Sequence, residues 1–442
     1  MTLEHVAQHV QQAQDKLQNQ DYTGAISSFS AALHLEPQNV DLYRARGWVY
    51  YMRRALAEAL ADFSQALVLQ PENAAIYTER GMAHLRAGDP EAAMYDFNEA
   101  LRIDPGNGQA YQQRGTLYAA QGDLPGAIAD YSAAIDLQPD HAALYHTRAT
   151  LRYHVKDYEG VVADCTSALE RGLMSPALYA ARGSAYAQLG EDEKAILDYT
   201  QAVTLDLRDS STYYSRGAVH LRRGDFEAAL NDFSRAIKFR PDEWNAYYAR
   251  GKVAQRLGDY KMARDDFKAV IARFPEHPDA AYHLGHAYLS LKRADRAIEA
   301  LTQALERKPT AQVWGRRGDA FMLAERYAEA AADYQQAASH DPVAIEWRWR
   351  AGEAAFTSGD YAAALIAFRS ADDLSPAHPR TWAGLALTQA AQSYVGDALK
   401  LWPRLREQEP HLQQPQSLAE VWDWPPSMIA AAEDLNSKIQ TD

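Results

Sequence analysis

A small residue, usually glycine, recurs at positions 47, 81, 115, 149, 183, 217, 251, 285, 318, 352 and 386, a step of 34 broken once by 33. A period running almost end to end argues for one elongated solenoid rather than two or three globular domains, each unit burying its apolar face only against its neighbours. Ala13 continues the register backward. Twelve units can then be laid out, starting at residues 6, 40, 74, 108, 142, 176, 210, 244, 278, 311, 345 and 379 and covering residues 6 to 412.

Within a unit the signature is an aromatic at position 4, a small residue at 8, alanine at 20, an aromatic at 24, alanine at 27 and proline at 32. The second repeat shows it complete in Tyr43, Gly47, Tyr50, Ala59, Phe63, Ala66 and Pro71. Alanine holds position 20 in eleven of twelve units, with Val161 the exception. Period and residue types together resemble the tetratricopeptide (TPR) repeat family, whose unit is a helix, a turn and a second helix packed antiparallel. The resemblance implies an all-α, right-handed superhelical solenoid over residues 1–412; residues 413–442 lie outside the period and read as a Pro- and Trp-containing segment and a capping helix.

Positions 1–14 read as helix A and positions 17–30 as helix B. Gly88, Gly122, Gly190, Gly224, Gly258 and Gly359 fall at position 15, where the chain leaving helix A needs a positive φ. Arg223-Gly224-Asp225 is therefore turn chemistry rather than an adhesive tripeptide. Small residues at 8, 20 and 27 let the two helices approach closely. Repeat 5 departs furthest, with Ala149, Val161 and Cys165 at signature positions and Leu173 in place of proline, which predicts an irregular junction over residues 161–176.

Arginine fills position 7 in repeats 2 to 8 and 10, and aspartate fills position 23 in the same eight; repeats 1, 9, 11 and 12 have neither. This joint change predicts charge-assisted bonds within a repeat, Arg46 with Asp62 and so on to Arg317 with Asp333. An unpartnered arginine stripe reading phosphates or carboxylates is the competing interpretation.

Composition narrows the function. No stretch approaches the roughly 18 uncharged apolar residues of a membrane span. The first residues lack a basic start and an apolar stretch, so no secretory signal is read. The only cysteine, Cys165, sits at a core position, which precludes an intramolecular disulfide or a multi-cysteine zinc site and fits a cytoplasmic location. A net charge of −14 argues against nucleic acid or an anionic membrane as the main partner.

Catalytic motifs are absent. There is no GxxxxGK[ST] or HExxH, and Gly106 with Gly108 lacks a third glycine. His84 and His220 stand in for a packing tyrosine. His283 and His286 are expected to face different ways, and His146 with His154 meets no convergent carboxylate. No metal, no cofactor and no enzymatic activity are expected.

In the family this chain resembles, helix A lines the concave face and positions 2, 5, 9, 12 and 13 look into the groove. Carried across, repeats 7 to 9 offer Tyr214, Arg222, Asn245, Tyr248, Lys252, Gln255, Arg256, Tyr282 and His286, a basic and aromatic patch on an acidic protein, suited to an acidic peptide or a terminal carboxylate. Trp48, Tyr51 and Met52 form an apolar patch in repeat 2. Asp319, Glu346, Trp349, Glu353 and Phe356 make repeats 10 and 11 acidic and aromatic. No repeat combines lysine at position 5 with asparagine at 9, which sets the chain apart from the chaperone-tail receptors of that family.

Beyond Leu412, prolines 415, 425 and 426 surround Trp422 and Trp424, and Met428, Ala432, Leu435 and Ile439 recur on one helical face. Either this helix covers the last repeat, or the tryptophan segment folds into the groove as a self-ligand. The leading function is a non-enzymatic scaffold that binds a peptide or partner protein. The alternatives are a self-associating structural protein and a regulatory subunit of an enzyme encoded elsewhere.

Overall fold

The computed structural model describes residues 2–440, and every regular element among them is helical. Antiparallel helix pairs follow one another from Thr2 to Gln408, for example Val40–Met52 with Leu56–Leu69. Short 3-10 turns, Leu418–Val421 and the C-terminal helix Pro426–Gln440 complete the chain. Two compact units are distinguished, Met1–Arg208 and Asp209–Asp442. Each holds six helix pairs, and the second also holds the C-terminal segment. Among the described residues no helix is long and apolar enough to cross a membrane.

Each pair is made by the spacing of its small and large residues. In Leu56–Leu69 the buried apolar set is Ala59, Phe63, Ala66 and Leu67, one stripe on one face. In repeats 2 to 4 an asparagine caps the start of helix A: Asn39 accepts from the Leu42 amide, Asn73 from Ile76 and Asn107 from Ala110. Position 8 is where the helices nearly touch. A Cβ at Gly81 would lie 2.6 Å from the Phe97 ring, and one at Gly47 would lie 2.9 Å from Phe63. Repeat 5, which carries the extra methyl of Ala149, has the smaller Cys165 where these rings stand, and both residues are buried.

The positive φ expected at position 15 is present at all six glycines, between 78° and 87°. It is also present where glycine is missing: Gln20, Arg54, Lys156, Lys292, Glu325 and Ser393 hold the same slot at φ between 54° and 72°. Packing of the pair thus imposes the left-handed turn whether or not the residue favours it.

The exit from helix B of repeat 5 differs from that of the proline-bearing repeats. That helix ends at Glu170, Gly172 takes φ 83°, and the Leu173 amide donates to the Ala168 carbonyl, a Schellman closure that replaces the proline stop. Repeat 6 also lacks proline, yet its helix B ends at Leu205 with Asp206 extended, like its proline-bearing counterparts.

Candidate functional site

Charge on these helices is committed first to holding them together. All eight predicted Arg–Asp pairs form, each with the guanidinium Nε and Nη2 donating to the two carboxylate oxygens at 2.7–3.0 Å. The aspartates are buried. Planar fork geometry makes this a rigid clasp between helix A and helix B. The arginine stripe is therefore structural rather than a reader of anions.

Two further features of the clasp escaped the sequence reading. In seven pairs the third nitrogen, Nη1, donates to a side chain on the preceding repeat: Ser30, Ser64, Asn98, Ser132, Thr166, Ser234 or Thr302. The guanidinium also lies 4.9–5.8 Å from the centroid of the position-4 ring in every clasped repeat. A signal for the first was available. Position 25 is Ser, Thr or Asn before every repeat that carries the arginine, and Lys268, Gln335 or Arg369 before repeats 9, 11 and 12, which lack it.

The nine residues expected to form the central patch do not form one surface. Arg222, Lys252 and Arg256 are exposed and line one open pocket of about 440 Å³ together with Leu221 and Phe226. Tyr214 and Tyr248 are half-buried against Phe233 and Phe267, with ring centroids 5.5 and 5.9 Å apart, and burial raises both phenol pKa values. The Lys252 ammonium stands 5.6 Å from the Tyr248 ring centroid. Tyr282 lines a different pocket with Asp279 and Lys308, and the Asn245 side chain turns back to accept from the Ala246 amide.

Gln255 and His286 are engaged with each other. The Gln255 amide nitrogen lies 3.1 Å from His286 Nδ1 and donates to the His283 carbonyl, while its oxygen lies 3.1 Å from His283 Nδ1. This corrects the expectation that His283 and His286 face different ways: three residues apart on a helix, they share a side. His283 stacks on Phe267 at 5.2 Å. Burial, reinforced by the Lys252 charge, lowers its pKa to about 4. The cluster joins helix A of repeat 8 to helix A of repeat 9, where Leu284 stands in place of the clasp arginine.

In repeat 2, Trp48 packs edge-on against Tyr51 and Phe63, Arg86 covers the Tyr51 ring at 4.8 Å, and Met52 is exposed. In repeats 10 and 11, Glu346 is exposed, while Asp319 accepts hydrogen bonds from Tyr334 and Arg350, both at 2.7 Å. Glu353 and Phe356 are buried, not displayed on a groove surface as expected. The cause is the C-terminal segment. Trp424 is buried and donates its indole N–H to Glu353 Oε1 at 3.0 Å, so the self-ligand arrangement is realised. Arg380 donates to both oxygens of the same carboxylate at 2.6 and 2.9 Å and lies 3.7 Å from the Trp349 ring centroid. Burial pushes the Glu353 carboxyl pKa up, and Arg380 opposes that shift.

The capping helix is present as well. Met428, Ala432 and Leu435 are fully buried, and Asn436 accepts from the Trp402 indole at 2.9 Å. The Ile439 side chain lies outside the described residues. The two C-terminal alternatives thus coexist.

Family models described as tetratricopeptide repeat match residues 10–73, 56–108, 248–312 and 316–379, and models described as TPR repeat match 115–153, 183–224 and 220–258. No curated protein matches the chain. A tetratricopeptide repeat protein from Parabacteroides merdae ATCC 43184 is 21% identical over 53% of this chain and 93% of its own, with a TM-score of 0.40. The C-terminal part of a TPR repeat-containing protein from Cytophaga hutchinsonii is 18% identical over 54% and 98%, with a TM-score of 0.46. YrrB, described as a TPR protein with an unusual peptide-binding site, is 22% identical over 41% and 95%, with a TM-score of 0.38.

Proposed function

The chain belongs to the tetratricopeptide repeat family, and from that premise we propose that it is a non-enzymatic scaffold whose helix-A face in repeats 7 and 8 receives an acidic peptide segment. The observation that carries this reading is the open pocket bordered by Arg222, Lys252 and Arg256, with the Tyr248 ring beside Lys252. On a protein of net charge −14 a cluster of exposed cations is the exception. Lys252 and Arg256 are one helical turn apart, so both reach one carboxylate-bearing segment, and the half-buried tyrosine supplies apolar area already fixed in place. The same acidity is why a protein or peptide, rather than nucleic acid, is the partner in this reading. A cytoplasmic location belongs to the same proposal and rests on the single buried cysteine.

The test is fluorescence anisotropy of a labelled glutamate-rich peptide. Lys252→Glu with Arg256→Glu weakens binding by about ten-fold or more at low salt, because two attractive charges become repulsive, and the wild-type affinity falls as salt rises. Equal binding by the variant, with an unchanged thermal transition, rejects the central pocket.

A further inference from the structure

The C-terminal segment has more of the character of a bound peptide than of a simple cover. Residues 422–426 read Trp-Asp-Trp-Pro-Pro. Trp424 reaches Glu353, a buried carboxylate from the third turn of helix A in repeat 11, and that carboxylate is already oriented by the two-pronged Arg380. Arg380 is itself pressed on Trp349. The acceptor is thus assembled by residues of repeats 11 and 12 that do not belong to the segment. Asp423 adopts φ 53°, a left-handed conformation unfavourable for a residue other than glycine. The groove is also incompletely filled. A cavity of about 530 Å³ continues from Trp424 and Pro425 past Asp423 to Arg316, Asp319 and Arg350.

We propose that the helix-A face of repeats 10 to 12 is a second peptide site, specific for an acidic residue followed by tryptophan and proline, and that residues 423–425 occupy it in cis until a partner segment of that chemistry displaces them. The indole N–H is read by Glu353, the ring is buried, and the fixed φ of Pro425 reduces the conformational freedom the ligand loses on binding. A longer partner gains over the internal segment by filling the cavity toward Arg316 and by relieving the Asp423 backbone. The site is separate from the central pocket and does not rest on it.

The probe is a fluorescein-labelled peptide carrying residues 420–430, titrated against the full chain. Trp424→Ala binds it more tightly than wild type by on the order of ten-fold or more, because a tethered competitor has been weakened. Trp424→Phe, which keeps a smaller aromatic ring and loses the indole donor, moves in the same direction and serves if the alanine variant unfolds. The peptide with alanine at the 424 position does not bind. A second arm joins the segment to the groove: Thr357 Oγ1 and Ser427 Oγ are 3.1 Å apart, so Thr357→Cys with Ser427→Cys places two thiols within disulfide reach. Cys165 is buried with its thiol pKa pushed up to about 12, which keeps it out of the exchange. Oxidation abolishes probe binding and reduction restores it. Equal binding by wild type and the folded Trp424 variants, or by oxidised and reduced forms, overturns the proposal. Loss of probe binding in Lys252→Glu/Arg256→Glu would assign the probe to the central pocket and overturn it too. A wild-type mass that doubles with concentration and falls when probe is added would replace the partner peptide with a second copy.

Discussion

Repeats 2 to 6 and repeats 9 to 12 share one backbone plan and differ in what secures each helix pair. In repeats 2 to 6 the same clasp recurs, an arginine under an aromatic ring, two bonds to aspartate and a third to the preceding repeat. In repeats 9 to 12 only Arg317 keeps it. Repeat 9 instead has His283 and His286 engaged with Gln255 of repeat 8, and repeats 11 and 12 have an apolar core roofed by the C-terminal segment. Where every repeat uses the same device, the device serves stability. Where the device is dropped, polar groups on the helix-A face become available for other contacts, and both the histidine cluster and the Glu353 site lie there.

Removing half a clasp has the largest effect. Asp96→Ala leaves the Arg80 guanidinium beside a buried, unpaired position and lowers unfolding free energy by about 3–5 kcal/mol in urea melts, whereas Arg80→Leu with Asp96→Ala is near neutral, since repeats 9 and 12 already manage with leucine at position 7. Equal losses from the single and double variants would show that the clasp acts by packing alone.

A smaller effect separates the clasped repeats from repeat 9. In the folded chain His283 stays neutral down to about pH 4, while an unfolded histidine titrates near 6.5, so between these values the unfolded chain binds the extra proton. This contribution is absent above about pH 6.5 and reduces stability by up to about 1.4 kcal/mol for each pH unit as pH falls toward 4. His283→Phe, which keeps the stack on Phe267, removes that share of the acid sensitivity. A pH profile identical to wild type would contradict the buried neutral imidazole.

The smallest expected change concerns what the two regions have in common. Lys156→Gly and Lys292→Gly each relieve a left-handed residue at position 15 and stabilise by about 1 kcal/mol, one in either region. A gain confined to one of them would show that the turn is strained unequally along the chain.

The repeat boundaries, the helix-turn-helix unit, the position-15 turn and the eight clasps were legible because each depends on residues at fixed separation within 34 positions. Periodicity repeats such a contact many times and so averages out local exceptions. The third bond of the clasp was legible in principle, through Ser, Thr or Asn at position 25, but it joins adjacent repeats and needed a comparison between units rather than within them.

The candidate sites were legible only in part. Exposure of Lys252 and Arg256 follows from their register on helix A, whereas Tyr248, on the same face, is half-buried against Phe267, which that register does not encode. The engagement of Gln255 with two histidines depends on the distance between neighbouring helices, which no spacing along one helix encodes. The burial of Glu353 under Trp424 joins residues 71 apart in a segment outside the period. Sequence alone determined the solenoid, because its contacts are local and repeated. Only the tertiary structure decided which groove residues stay open, because a single non-repeating segment chooses its resting place by the one carboxylate and apolar surface that receive it.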